Sequence, residues 1–459
     1  MRIPLTMLAA AVLAGCTCEQ NVCRKNAVNL ITLDPGHFHA ALVQKRMYPE
    51  IAPVVHVYAP EDGFDLKAHL ARIDGFNTRK DAPTSWQEEV YTGKDFLDKM
   101  IADRKGNVVV LAGNNARKTE YILRSVEAGF NVLADKPMAI TPKDFELLKK
   151  AFAVAKAKGL LLYDIMTERY EITTILQREL ARDPDLYGSQ EPGTADDPAV
   201  TKESVHHFCK LVAGKSLQRP EWYYDTDQQG EAIVDVTTHL TDLVQWETFP
   251  GVTLRPEDAE VVSARVWPTP ITFAQYQKNT SAKTWPAYLR KKLDQDGVLP
   301  CRANGEFTWR LKGVYAKVSV LWNFEPPEGG GDTHYSLMRG TKCSLIIEQG
   351  AAEGFKPVLY VEPRRKVPGV TRESVGKALQ AAIKRLSATY PGITAEPHET
   401  GFRVNIPATY YNGHEQHFGQ VTEKYLGYLR DRSTFPDWEI PNMLLKYQTL
   451  MDAWKKSRD

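Results

Sequence analysis

Two short segments hold residue types that can move a proton and stabilise charge on oxygen. Val132–Ala139 reads Val-Leu-Ala-Asp-Lys-Pro-Met-Ala, an apolar strand ending at Lys136, where Pro137 stops the ladder. Ile233–Asp242 carries Asp235, His239 and Asp242 at i, i+4 and i+7, the spacing of one helix face. Histidine titrates near neutrality and suits acid–base work at a hydroxyl such as that of a sugar. A neighbouring lysine stabilises developing oxyanion character. Taking hydride from a secondary alcohol needs both, because the hydroxyl proton leaves as the C–H bond breaks.

These residues must be positioned by the elements around them. Short apolar runs at Val28–Leu33, Pro53–Ala59, Asn107–Gly113, Asn131–Ala134 and Gly159–Asp164 read as strands. Between them, His37–Met47, Lys118–Ala128 and Pro142–Lys158 have helical spacing, the last capped by Thr141 and ended by Gly159. This cadence predicts a doubly wound parallel sheet. Glu168–Ala181 reads as a helix and Asp183–Lys202 as a loop. Beyond Val261, alternating segments such as Val314–Trp322 and Ser344–Glu348 suit a sheet with one covered face, and His414–Leu429 suits a closing helix. The expected fold is an α/β Rossmann domain followed by an α+β domain with a large open, mainly antiparallel sheet. The expected boundaries are 1–27 for a leader and tether, 28–166 for the Rossmann domain and 167–459 for the substrate and oligomerisation domain.

The first strand-to-helix turn departs from the usual Gly-x-Gly-x-x-Gly. It reads Asp34-Pro35-Gly36-His37-Phe38-His39, with one glycine left to let a pyrophosphate approach the backbone. His37 and His39 touch phosphate, ribose or nicotinamide, or are helix-start histidines facing solvent or each other. After the second strand, Glu61 or Asp62 reaches the adenosine ribose or is an exposed loop carboxylate. NAD and NADP both remain open. The candidate cofactor contacts are Gly36, His37, Phe38, His39, Glu61, Gly113, Asn114, Asn115, Asp135 and Lys136.

Val132–Ala139 resembles the Glu-Lys-Pro element of the Gfo/Idh/MocA oxidoreductases, with Asp135 replacing the glutamate. Gly230–Asp242 resembles that family's G-G-x-x-x-D-x-G-x-H-x-x-D element, with Glu231 and Thr237 replacing glycines. Arg169-Tyr170 resembles its Arg-aromatic pair after the last Rossmann strand, and Gly340-Thr341-Lys342 its late turn. The resemblance implies that Lys136 orients or polarises the reacting C–O bond. It makes His239 the acid–base, with Asp235 positioning it or sharing a relay. It implies NAD or NADP as cofactor, and homo-oligomerisation through the exposed sheet face. Arg169, Tyr170, His207, Trp222 and Asp242 are the candidate substrate contacts. His206-His207 reaches a sugar or is a solvated pair, and Trp222 walls the pocket or packs in the core.

Bulk properties narrow the partners. With 58 Lys+Arg against 57 Asp+Glu the net charge is +1, which argues against nucleic acid. Arg2, the apolar Leu5–Ala14 and Leu13-Ala14-Gly15-Cys16 resemble a bacterial lipoprotein signal with Cys16 as the acylated residue. The expectation is an exported lipoprotein, periplasmic or attached to the outer membrane, with the membrane reached through the lipid anchor alone. Among the six cysteines no Cys-x-x-Cys pair with metal spacing occurs, so no metal site is expected. The readings are therefore hydride transfer at a hydroxyl of a sugar or glycoside with tightly held, recycled nucleotide; glycoside cleavage by oxidation, elimination and reduction; or a non-catalytic sugar-binding lipoprotein on a degenerate Rossmann scaffold.

Overall fold

In the computed structural model the described residues are 27–60, 63–212 and 215–459. The proposed lipidation site Cys16 and the ribose candidates Glu61 and Asp62 lie outside them. Six parallel strands form the first sheet: β1 (Leu30–Leu33), β2 (Val54–Ala59), β3 (Gln87–Thr92), β4 (Val108–Leu111), β5 (Asn131–Asp135) and β6 (Leu162–Ile165). Their order is β3-β2-β1-β4-β5-β6. It reverses between β1 and β4, so a crevice opens there at the carboxyl ends of the strands. Every residue of β1 and β4 is buried, as befits strands covered on both faces. The edge strand β3, Gln-Glu-Glu-Val-Tyr-Thr, has no apolar run and so carries no such signal.

The helices of this half are α1 (His39–Leu42), α2 (Phe64–Thr78), α3 (Phe96–Asp103), α4 (Lys118–Glu127) and α5 (Pro142–Ala157). Helix α5 opens on a complete capping box: Thr141 accepts from the Asp144 amide, Asp144 accepts from the Thr141 amide, and Pro142 sits in the first turn. Thr141→Ala is expected to cost about 1 kcal/mol, read as a lower midpoint in urea.

The helix expected over His37–Met47 is a single turn. After it the Gln44 and Lys45 amides turn back three residues, to the Ala41 and Leu42 carbonyls, and the Gln44 carbonyl accepts from the Trp86 indole at 2.6 Å. The helix expected over Glu168–Ala181 is also corrected. Thr167–Tyr170 is a 3-10 turn, Glu171 is extended, and the Glu171 carboxylate caps α6 (Ile172–Ala181) through the Thr173 and Thr174 amides.

The second sheet has nine strands: β7 (Val200–His207), then, after the small hairpin β8 (Leu211–Val212) and β9 (Lys215–Ser216), β10 (Ala259–Ile271), β11 (Leu299–Leu311), β12 (Val314–Asn323), β13 (Thr333–Arg339), β14 (Cys343–Gln349), β15 (Val358–Pro363), β16 (Thr394–Pro397) and β17 (Phe402–Asn405). Pairing is antiparallel except that β7 runs parallel to β12. Strand β7 begins inside the expected loop. Its inward residues include Lys202 and Ser204, which mask its alternation. Lys202 is buried against Glu247 at 2.9 Å.

Helices α7 (Thr226–Gln229), α8 (Thr237–Thr248), α9 (Phe273–Thr280), α10 (Ala287–Arg290), α11 (Arg372–Leu386), α12 (His414–Arg430) and α13 (Glu439–Lys456) complete the chain. The last two return to the first domain. Arg430 pairs with Glu50, and the Tyr447 hydroxyl donates to Asp164 at 2.8 Å while accepting from the Met138 amide at 2.9 Å. No helix among the described residues is long and apolar enough to cross a membrane. Cys301 and Cys343 are buried free thiols, and Cys209 is buried.

Candidate active site

The strand-to-helix turn compensates for its missing glycines. Asp34 has φ 49°, the left-handed region that the first glycine of such a turn supplies. Gly36 has no room to spare: a Cβ would stand 3.2 Å from Asp65 and Trp222 and 3.3 Å from the Asn114 amide. At Gly113 a Cβ would sit 2.3 Å from the Asp34 carbonyl, so this glycine lets the end of β4 pack on the turn. Asn114 and Asn115 follow it. Asn114 donates to Gln228 at 2.7 Å, and buried Asn115 donates to the Gln229 carbonyl at 2.7 Å, which fixes α7 to the crevice rim.

A cavity of about 290 Å³ opens beside the turn, lined by Asp34, Pro35, Gly63, Asp65, Arg219 and Trp222 among others. It lies over the carboxyl ends of β1 and β2, beside the switch point at which a doubly wound fold takes its nucleotide. The bare Gly36 backbone and the concave rim fit a dinucleotide. Trp222 donates from its indole to Asp65 at 2.7 Å on this nucleotide side, which corrects the expectation that it walls a sugar pocket. Phe38 lines a smaller recess with Gly36, His37 and Arg219.

The third glycine position of the turn is filled by buried His39. Its Nδ1 donates to Asp135 at 2.8 Å, and its Nε2 lies 3.0 Å from Nε2 of His414 at the start of α12. His37 accepts the His39 amide on Nδ1 at 3.3 Å, and the two rings meet edge-on. Burial lowers the pKa of both histidines well below the usual value, so both rest neutral. His37, His39 and Asp135 bring three donor atoms within 4.8 Å of one another. Buried Lys118, donating to the Asp135 carbonyl at 3.1 Å, and Lys136 already supply positive charge here, which opposes a divalent ion.

The end of β5 delivers Lys136 to the crevice. Its ammonium pairs with Asp235 at 2.7 Å, both side chains nearly enclosed. Burial alone would lower the lysine pKa, but Asp235 and Asp135 overcome it and hold the pKa above the usual value. Lys136 is therefore a fixed cation that donates hydrogen bonds, not a base. Asp235 is not on the helix with His239. It follows the 3-10 turn Ala232–Val234 with non-helical dihedrals, and the Thr237 hydroxyl folds back on the Ala232 carbonyl as α8 begins. Its partner is Lys136, not His239. His239 is buried in the first turns of α8, and its Nδ1 has no hydrogen-bond partner among the described residues. Burial, then the nearby Lys136 charge, pushes its pKa down to about 4. It rests neutral near neutral pH.

Glu168 enters the site without having been singled out in the sequence. It faces His414 at 3.7 Å and feels His239 and His417 as well, and these histidines hold its carboxyl far below the usual range despite burial. The Glu168 and His414 side chains are 37% and 38% exposed, so both reach solvent.

Three expected substrate contacts do other work. Arg169 is locked between Asp242 at 2.6 Å and Glu439 at 2.9 Å, and Lys446 bridges Asp242 at 3.1 Å and Asp164 at 2.8 Å. Arg169 and Asp242 thus brace α13. His207 is buried and bound to Asp332 at 2.9 Å, whereas half-exposed His206 stacks on Trp322. Tyr170 packs half-buried on the core beside Glu168.

A parallel Rossmann sheet with a charged acid–base set at its crevice, joined to a large mixed sheet, defines a nucleotide-dependent oxidoreductase. Residues 176–458 match the family described as "Putative oxidoreductase C terminal domain", and residues 63–163 match "Oxidoreductase family, NAD-binding Rossmann fold". The chain belongs to the Gfo/Idh/MocA oxidoreductase family and carries its NAD-binding domain. The second match starts after the unusual turn, in line with the departures there.

The chain is similar to a crystal structure of a putative oxidoreductase from Parabacteroides merdae ATCC 43184, with 52% identity, TM-score 0.91, and coverage of 95% of this chain and 98% of that one. It shares its fold with levoglucosan dehydrogenase in complex with NADH and levoglucosan, at 13% identity and TM-score 0.56 over 94% of this chain and 97% of that one. It is 32% identical over 163 residues to the uncharacterized oxidoreductase YhhX of Escherichia coli. That match spans 32% of this chain and 45% of YhhX, so the chain spans under half the length of this curated relative.

Proposed function

We propose that the protein transfers hydride between NAD and a hydroxyl-bearing carbon of a sugar or glycoside. The observation that carries this reading is the pairing of a fixed cation with a neutral base: Lys136 held by Asp235, and His239 kept neutral at the same crevice. NAD supplies the hydride acceptor when bound. Gly36, Asn114 and the rim around Trp222 hold it. Lys136 donates to the substrate oxygen as negative charge develops there, and His239 takes the hydroxyl proton. Sugar ligands in structural neighbours such as the levoglucosan complex support the substrate class.

The protein is further proposed to be an exported lipoprotein anchored through Cys16. Free nucleotide is scarce outside the cytoplasm, so the NAD is held tightly and recycled between two substrates. Protein lacking the first 16 residues is expected to show, after denaturation, close to one nucleotide per chain in the supernatant. Sugars and glycosides are then screened for reduction of that bound nucleotide. An empty protein that also fails to bind added NAD would overturn the reading. Release of an aglycone without net nucleotide reduction would instead establish glycoside cleavage.

A further inference from the structure

Hydride transfer from an alcohol leaves one proton on His239, and that proton must go before the next cycle. The two electrons and one hydrogen leave as hydride to NAD, and the hydroxyl hydrogen leaves as H⁺, so one proton must reach solvent per turnover. The structure assigns this task to residues outside the expected set. We propose that His414 and Glu168 form a second proton-transfer pair, held in one tautomer by Asp135 and His39, that takes the proton from His239 to solvent. The proposal rests on the hydride-transfer reading above.

Hydrogen-bond accounting carries the argument. A carboxylate only accepts, so His39 holds its proton on Nδ1 toward Asp135. A neutral His39 then offers a bare Nε2. The 3.0 Å contact between the two Nε2 atoms needs one hydrogen, which must be on His414. In a neutral His414 that leaves Nδ1 bare, facing the Glu168 carboxylate at 3.7 Å. Two acceptors face each other with room for one proton between them. The fixed tautomer is the device a carboxylate imposes on a histidine when the far nitrogen must do chemistry.

The pair is placed to serve His239. Glu168 interacts electrostatically with His239 and with Lys136, and its side chain and that of His414 open to the cleft. Around His39 the charged and titratable groups are Asp135 and Lys136 from β5, His37 from the turn, Lys118 from α4 and His239 from α8. Around His414 they are Glu168, His39, His239 and His417. The position is built. Lys45 pairs with Glu415 and Arg46 with Glu423, which pins α12 over the turn, and Phe418 packs on His39 with ring centres 4.5 Å apart.

Two readouts test the pair separately. Nitrogen-15 histidine spectra of the full chain are expected to show neutral His414 protonated on Nε2 and bare on Nδ1. In His39→Asn that preference is expected to vanish. A resting His414 protonated on Nδ1, or a tautomer indifferent to His39→Asn, would overturn the proposal whether or not the protein turns over sugar. In multiple-turnover assays His414→Ala is expected to lower the rate about tenfold, with imidazole restoring it. Glu168→Gln is expected to move the pH profile. A His414→Ala protein with full nucleotide content that is neither slowed nor rescued would refute the role, while an inactive parent protein would refute the hydride-transfer reading alone.

Discussion

Replacing His239 with asparagine is expected to lower single-turnover reduction of the bound nucleotide by about 10²–10⁴-fold, the range for loss of a general base. The fold should survive, because Nδ1 has no partner to lose and the side chain sits in a helix whose neighbours are unchanged. In the parent protein His239 acts in its neutral form and its pKa lies at about 4. Oxidation should therefore be flat with pH above that value and fall as pH drops through it. Measuring this with the near-ultraviolet absorbance of the reduced nucleotide separates the base from Lys136, whose raised pKa keeps it charged across the same window. A variant with unchanged rate and an unchanged acid limb would show that another group takes the proton.

Lys446→Met is expected to destabilise the protein by about 3–5 kcal/mol, because it strands the buried Asp164 and Asp242 carboxylates without their shared cation. Arg169 still faces Asp242, but Asp164 keeps just the Tyr447 hydroxyl. The same brace makes stability fall in acid. Burial pushes the Asp242 carboxyl up, yet Arg169 and Lys446 outweigh this and hold it at about 2. A carboxyl depressed below its unfolded value of about 3.9 stabilises fully above that value and progressively less as pH falls toward 2. Thermal melts from neutral to acid pH on both proteins would display the two effects. A melting point unmoved by the substitution would mean that the brace is energetically idle.

Much of the Rossmann half was legible because its strands are continuous apolar runs and its longest helix carries its own caps at Thr141 and Gly159. Lys136 was legible for the same reason, standing where such a run ends. The site beyond it was less so. Periodicity placed Asp235 on the helix of His239, but Asp235 closes the preceding 3-10 turn with non-helical dihedrals and the helix begins only after it. His39 and His414 are 375 residues apart and meet through packing alone. Arg169 and Asp242 looked available because their partners, Glu439 and Lys446, lie on a helix whose charged residues read as surface. Strand β7 was hidden by a lysine pointing inward. Buried charges defeat hydropathy patterns wherever their counter-ions come from distant sequence.

Helix α13 closes the first domain as well as the second: Tyr447 and Lys446 complete hydrogen bonds that begin at Met138 and Asp164. During synthesis the amino-terminal half therefore leaves the ribosome long before the residues that seal it. Its sheet can assemble, but its final core cannot, until the residues of α13 emerge. A chain built this way stays loose until α13 has been made, so losing that helix would affect both halves at once.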